Sequence, residues 1–216
     1  MLIATLLLSV SLQNGPGLAQ GAATPQALDA KVKQFLDARR GTWQDLNVPE
    51  SDGKALHDLV VERGVKRAVE IGTSTGLSGI WTAWGLSKTG GRLVTIEIDR
   101  ERHAQALSNF TEAGLAGLID ARLADAHELV PKLEGPIDFV FIDADKNWYT
   151  NYAKALIPKL SPRGCLTAHN VNPRRGSWQM TGDYYDYVTG LPEFETTFRA
   201  GVMVSCKRGG GEPTPR

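Results

Sequence analysis

From Val65 onward, short apolar runs alternate with longer segments of helical periodicity, and few architectures accept that rhythm. The candidate strands are Val65–Ile71, Arg92–Ile98, Ile119–Leu123, Ile137–Ile142 and Cys165–Ala168, with helical segments at 77–88, 100–114, 126–133 and 147–160. A strand followed by a helix before the next strand must cross over, which gives parallel pairing with helices on both faces. Two last runs, Glu195–Phe198 and Gly201–Lys207, are separated only by a turn and must pair as an antiparallel hairpin at one edge. The expectation is therefore α/β: a doubly wound, seven-stranded sheet, mostly parallel, closing on an antiparallel C-terminal hairpin strand.

Ahead of that core, Pro25–Arg39 reads as an amphipathic helix, with Leu28, Val32, Phe35 and Leu36 at helical spacing. Gly41 stops it, 42–50 reads as a loop, and Ser51 is expected to cap a second helix that runs to Arg63 and ends at Gly64. All 24 basic and 24 acidic residues lie downstream of residue 28. Residues 1–23 contain an apolar run and small residues suited to cleavage, so they resemble a secretory leader lacking a charged n-region. That reading places the protein outside the cytoplasm; the alternative is a cytoplasmic protein whose leader is not used. The run is too short for a stable membrane span, which takes about 20 apolar residues. Residues 24–208 form one domain, divided into N-terminal helices (24–64) and the sheet-based core (65–208), and 209–216 is a polar Gly/Pro tail expected to be disordered.

The formal net charge is +0, which gives no basic stripe for nucleic acid. Two cysteines, Cys165 and Cys206, exclude a disulfide framework and a four-thiolate zinc site.

Chemistry is concentrated at the turn Gly72-Thr73-Ser74-Thr75-Gly76, which follows a strand and opens a helix. Glycine is common at any such turn. Two sharper readings compete. The turn fits G-x-S-x-G, and Asp143 and His169 follow Ser74 in serine-hydrolase order. It also fits a nucleoside-cofactor loop, because Glu97 ends the next strand where an acid can accept from ribose hydroxyls. A hydrolase leaves Glu70 and Glu97 without roles, so the cofactor reading is preferred.

Glu70-Ile71-Gly72-Thr73-Ser74-Thr75-Gly76, Thr95-Ile96-Glu97-Ile98-Asp99 and Phe141-Ile142-Asp143-Ala144-Asp145-Lys146, in that order, resemble the class I S-adenosylmethionine-dependent O-methyltransferases. The resemblance is to the catechol and caffeoyl-CoA group, covers about Val48 to Lys207, and implies a Rossmann-like fold. It implies that Glu70, Gly72, Ser74 and Gly76 hold the methionine part of S-adenosylmethionine and that Glu97 holds its ribose. Asp125 and Ala126, with His127, would line the adenine pocket, although Asp125 also suits a plain helix cap. Asp143 lies near the cofactor and matches a metal ligand; Lys146 matches the lysine that deprotonates or orients the acceptor hydroxyl, or else pairs at the surface with Asp145.

The family has Asp-Asn where this chain has His169-Asn170. An Asp143–His169–Asn170 set disfavours magnesium, since imidazole suits transition metals better. The divalent metal therefore stays open between a transition-metal site, a metal-independent enzyme with His169 as general base, and a degenerate binding protein. The acceptor implied is a small hydroxylated molecule, a class that includes phenols. Trp148, Tyr149, Trp178 and Tyr184–Tyr187 are candidates for an aromatic wall, Trp178 first among them, with Arg174 and Arg175 in the same loop. The family strand order would put Cys165 and Cys206 on neighbouring antiparallel strands, where a disulfide is open to them; two buried free thiols are expected. The resemblance also implies a homodimer, with no interface legible in the residues.

Overall fold

The computed structural model describes residues 24–43, 46–171 and 181–209. Two helices lead in, α1 (Pro25–Ala38) and α2 (Glu50–Arg63). Alternation follows: β1 (Arg67–Ile71), α3 (Leu77–Thr89), β2 (Arg92–Glu97), α4 (Arg100–Ala113), β3 (Ile119–Leu123), α5 (Ala126–Leu129), β4 (Ile137–Ile142), α6 (Tyr149–Leu156), β5 (Leu160–His169) and α7 (Gly182–Thr189). The hairpin β6 (Phe194–Arg199) and β7 (Val202–Lys207) comes last.

The seven strands form one sheet in the order β3-β2-β1-β4-β5-β7-β6. Strands β1 to β5 pair in parallel, and β7 runs antiparallel to both β5 and β6. This is the architecture expected from the strand–helix rhythm. Because β1 neighbours both β2 and β4, the chain reverses its direction of winding there, and the C-terminal ends of β1 and β4 open a crevice.

Strand β4 shows why the central strands read as unbroken apolar runs. Val140 and Ile142 pack in a layer with Tyr149, Tyr152 and Leu156 of α6 and Tyr184 and Val188 of α7. Phe139 and Phe141 face the other layer, with Leu56, Leu59 and Val60 of α2. A third cluster joins Val32 and Phe35 of α1 to Ile80 and Ala83 of α3 and to Ala106 and Phe110 of α4. A strand buried on both faces needs apolar side chains at every position.

Three local expectations are corrected. Helix α2 begins at Glu50 with extended Pro49 ahead of it (φ −58°, ψ 154°), so Ser51 does not cap it and instead bonds Asp52 Oδ1 at 2.9 Å. Strand β5 starts at Leu160, five residues before the expected Cys165, with its register against β4 shifting between Ile137 and Phe139. Pro162 and Gly164 look like a turn in sequence, and the irregular pairing accommodates them. Third, Cys165 and Cys206 are directly opposed in the β5–β7 register and form a disulfide rather than two free thiols. Side chains of directly opposed residues on an antiparallel pair point to the same face, which brings the sulfurs together.

Candidate active site

The site grows from the end of β1. Gly72, Ser74 and Gly76 all have positive φ (95°, 47° and 98°), a sequence of left-handed steps that turns the chain sharply into α3. A side chain at position 72 would strike the carbonyl oxygen of Asp143, so glycine there lets the turn lie against the end of β4. The amides of Gly72 and Thr73 donate to the Ile96 carbonyl at 3.0 and 3.2 Å, tying the turn to β2.

Glu97 closes β2 and organises the far side of the turn. Its Oε2 accepts from the Ser74 amide at 2.7 Å, and its Oε1 accepts from the amides of Ile98 and Asp99 at 3.1 and 3.0 Å. Beyond β3, Asp125 caps α5 by accepting from the His127 amide at 2.8 Å, as its plain reading predicts. His127 then stacks on Trp148, with ring centroids 3.9 Å apart and planes 17° from parallel.

The other wall is charged. Lys146 donates to Asp143 Oδ1 at 2.6 Å and to the Tyr149 hydroxyl at 2.8 Å, so it turns inward and does not pair with Asp145. His169 Nδ1 lies 3.1 Å from Asp143 Oδ2, and its Nε2 lies 2.9 Å from Asp52 Oδ2. Burial alone would push Asp143 up, but the hydrogen bond from His169 and the charges of Lys146 and His169 hold its carboxyl below the ordinary carboxylate value. For His169, burial opposes charging, yet the hydrogen bond and charge of Asp143 and the charge of Asp52 raise the imidazole above its ordinary value.

These elements enclose a cavity of about 670 Å³. Gly72, Ser74, Glu97, Asp125, Ala126, Asp143, Lys146, His169 and Asn170 all line it. The strand ends have thus gathered nearly every residue singled out in the sequence. Glu70 and Gly76 sit behind this wall: Glu70 is fully buried, its Oε2 accepting from Thr95 Oγ1 at 2.6 Å. Its Oε1 and the Ser74 hydroxyl are buried without a hydrogen-bond partner, which marks the turn as incompletely satisfied by the protein alone.

The serine-hydrolase reading is not assembled. His169 gives its two ring nitrogens to Asp143 and Asp52, leaving neither for Ser74, whose hydroxyl is buried. Tyr149 and Tyr184 are fully buried in the α6–α7 layer, and Tyr185 and Tyr187 pack against it, so they build core rather than an acceptor wall. Trp178, Arg174 and Arg175 lie outside the described residues, as do the leader and the end of the tail. Among the described residues, no group of three or more His, Cys, Asp or Glu side chains is arranged to hold a metal ion.

Asp52 is the site residue that sequence reasoning missed. It stands in the first turn of α2, is 3% exposed, and also accepts from the Gly201 amide at 3.1 Å. An acid in a helix first turn is ordinarily explained by the helix dipole, so nothing local distinguishes it.

The family model described as O-methyltransferase matches residues 22–179. A catechol O-methyltransferase of Niastella koreensis is 37% identical over 130 residues, 58% of this chain and 58% of that protein. Caffeoyl-CoA O-methyltransferase 1 of Eucalyptus globulus is 32% identical over 134 residues, 60% of this chain and 54% of its own length. The matched region therefore spans little more than half the length of these relatives. Among solved structures, the Bacillus cereus O-methyltransferase in complex with SAH superimposes with a TM-score of 0.70 at 26% identity, covering 83% of this chain and 91% of that one. TomG of Streptomyces achromogenes, in complex with SAM, gives 0.69 at 28% identity, covering 83% and 90%. With the family match running over more than half of the residues and the sheet order and strand-end cavity described above, the chain belongs to the O-methyltransferase family.

Proposed function

We propose that this protein transfers a methyl group from S-adenosylmethionine to the hydroxyl of a small, phenolic acceptor. The observation that carries the reading is the one cavity that joins the Gly72–Gly76 turn and Glu97 to Lys146 and Asp143. The orphaned Ser74 hydroxyl in the cavity wall suits the polar methionine end of the cofactor, and the Glu97 carboxylate suits its ribose. Leu46 and Ile98, 69% and 68% exposed, line the same cavity and suit an apolar ring. Relatives named for catechol and caffeoyl-CoA support a phenolic acceptor.

When bound, the cofactor supplies a methyl group on a sulfonium, open to in-line attack by oxygen. The protein has to align the acceptor oxygen and stabilise its negative charge. We assign Lys146, held by Asp143 and Tyr149 at the cavity wall, to hydrogen-bond that oxygen and favour its ionised form, the phenol proton leaving to solvent before the O–CH3 bond forms and the S–CH3 bond breaks. His169 has both nitrogens engaged, so we assign it to positioning Asp143 rather than to accepting the proton. The Cys165–Cys206 disulfide supports a location in an oxidising compartment, in keeping with the secretory-like leader.

Calorimetric titration with S-adenosylmethionine and its demethylated product tests the cofactor, and a methylation assay over catechols and simple phenols tests the acceptor. Binding of both nucleosides with turnover of at least one phenol is expected. Failure of the folded protein to bind either nucleoside would overturn the proposal; binding without turnover would point to a degenerate binding protein. Lys146→Met should lower kcat by roughly 10²–10⁴-fold with little change in cofactor affinity.

A further inference from the structure

Side by side, the ends of β4 and β5 carry charges that already satisfy one another. Asp143 Oδ1 faces the Lys146 ammonium at 2.6 Å and Oδ2 faces His169 Nδ1 at 3.1 Å. The second ring nitrogen faces the buried Asp52 at 2.9 Å. A carboxylate oxygen offers only lone pairs, so each ring nitrogen must contribute its own proton to these bonds. An imidazole bonded in this way has no lone pair for a metal. The ammonium beside the other oxygen of Asp143 adds direct repulsion against a divalent ion. Magnesium wants an octahedral shell of oxygens, and transition metals want a free imidazole nitrogen. The donor set here therefore does not fit the divalent cation that the family resemblance implies at this strand end.

We propose that the linked side chains Asp52–His169–Asp143–Lys146 stand in place of that cation, so that the site works with positive charge built into the protein. In this arrangement Asp52 is a positioning residue. It is delivered by α2, fixed by the Gly201 amide at 3.1 Å, and it holds the imidazole edge-on to Asp143. A side chain at 201 would run into the Asp52 carboxylate, so the β6–β7 turn leaves room for this link. The catalytic part of the idea rests on the methyl-transfer reading; the exclusion of a cation does not, and it is measured without cofactor or acceptor.

The experiment is calorimetric and thermal-shift titration of the full chain with magnesium, manganese and zinc ions separately, beside His169→Asp and Asp143→Ala. The wild-type protein should show no stoichiometric binding and the same melting temperature with or without chelator. His169→Asp exchanges the imidazole for oxygen donors and should bind magnesium or manganese at least tenfold more tightly than the wild type. Stoichiometric wild-type binding that is lost in Asp143→Ala overturns the proposal, whether or not the protein methylates anything. A folded His169→Asp protein that still binds no cation also overturns it, because something other than the imidazole then keeps the metal out. Should that variant fail to fold, His169→Asn, which also offers an oxygen, is read by the same criteria. Where methyl transfer is observed, Asp52→Asn should lower kcat with the cofactor KM unchanged, and His169→Asp should make turnover depend on added magnesium. Loss of cofactor affinity in Asp52→Asn instead would mean that Asp52 supports the fold of the pocket rather than the charge chain.

Discussion

Glu70 illustrates what burial does to a single carboxyl. It lies under the glycine turn, fully enclosed, and burial pushes its pKa up to about 7; the charges of Asp143 and Glu97 add to the rise, while the nearby Ser78 hydroxyl and the hydrogen bond from Thr95 resist it. In the unfolded chain the same group titrates near its ordinary value of 4.5. Below that value both states hold the proton and folding carries no penalty. As pH rises from about 4.5 to about 7 the unfolded chain gives up this proton while the folded protein keeps it, so stability falls across that window, by at most about 3 kcal/mol, and levels off once the folded state ionises too. Glu70→Gln should remove most of this slope and leave the ligand-free protein more stable than wild type above neutrality. Denaturant midpoints between about pH 5 and pH 8 would check it, and parallel profiles for the two proteins would sink the idea. The neighbouring Glu97 was legible in the sequence because it ends a strand after a glycine turn. Asp52 was not, because its partner His169 lies 117 residues away and only folding brings them together.

Among the described elements, α2 and α3 pack closely against each other. Gly53 of α2 lies against the Trp81 ring, and Gly85 of α3 comes within 3.0 Å, at its would-be Cβ, of Val60 and the His57 carbonyl. These glycines serve close approach, not conformation. Gly53→Ala would drive its methyl into a nearly buried indole and should cost about 1–3 kcal/mol through overpacking. The expected signature is a lower denaturant midpoint with an unchanged slope; an unaltered midpoint would show that Trp81 moves aside freely. The sheet elements were legible because strands buried on both faces carry continuous apolar runs. The helix ends were less so: Ser51 looked like a cap, but Pro49 sets the extended geometry one turn boundary earlier.

At the scale of the whole molecule, the Cys165–Cys206 disulfide ties β5, which carries His169, to the C-terminal hairpin across a sequence separation of 41. Closing a loop of that length restricts the unfolded chain and is worth about 4 kcal/mol at most. Cys165→Ala/Cys206→Ala should therefore lower stability by about 2–4 kcal/mol while keeping the fold, since β5 and β7 remain hydrogen-bonded over five register pairs. Protein purified without reductant should titrate no free thiol after denaturation. Two titrated thiols would refute the bond, and with it the support for an oxidising compartment.

By itself the sequence determined the α/β class, the parallel core with its antiparallel hairpin, and the line of strand-end residues Gly72, Glu97, Asp143 and His169. It could do so because hydrophobic periodicity and turn chemistry are local, and because parallel sheets present their strand ends together. Only the tertiary structure decided what those residues do to one another. It brought Asp52 to His169, turned Lys146 inward onto Asp143, placed Glu70 behind the cavity wall and joined the two cysteines. Each of those outcomes depends on distance and dielectric between residues far apart in the chain, which no local pattern of residues encodes.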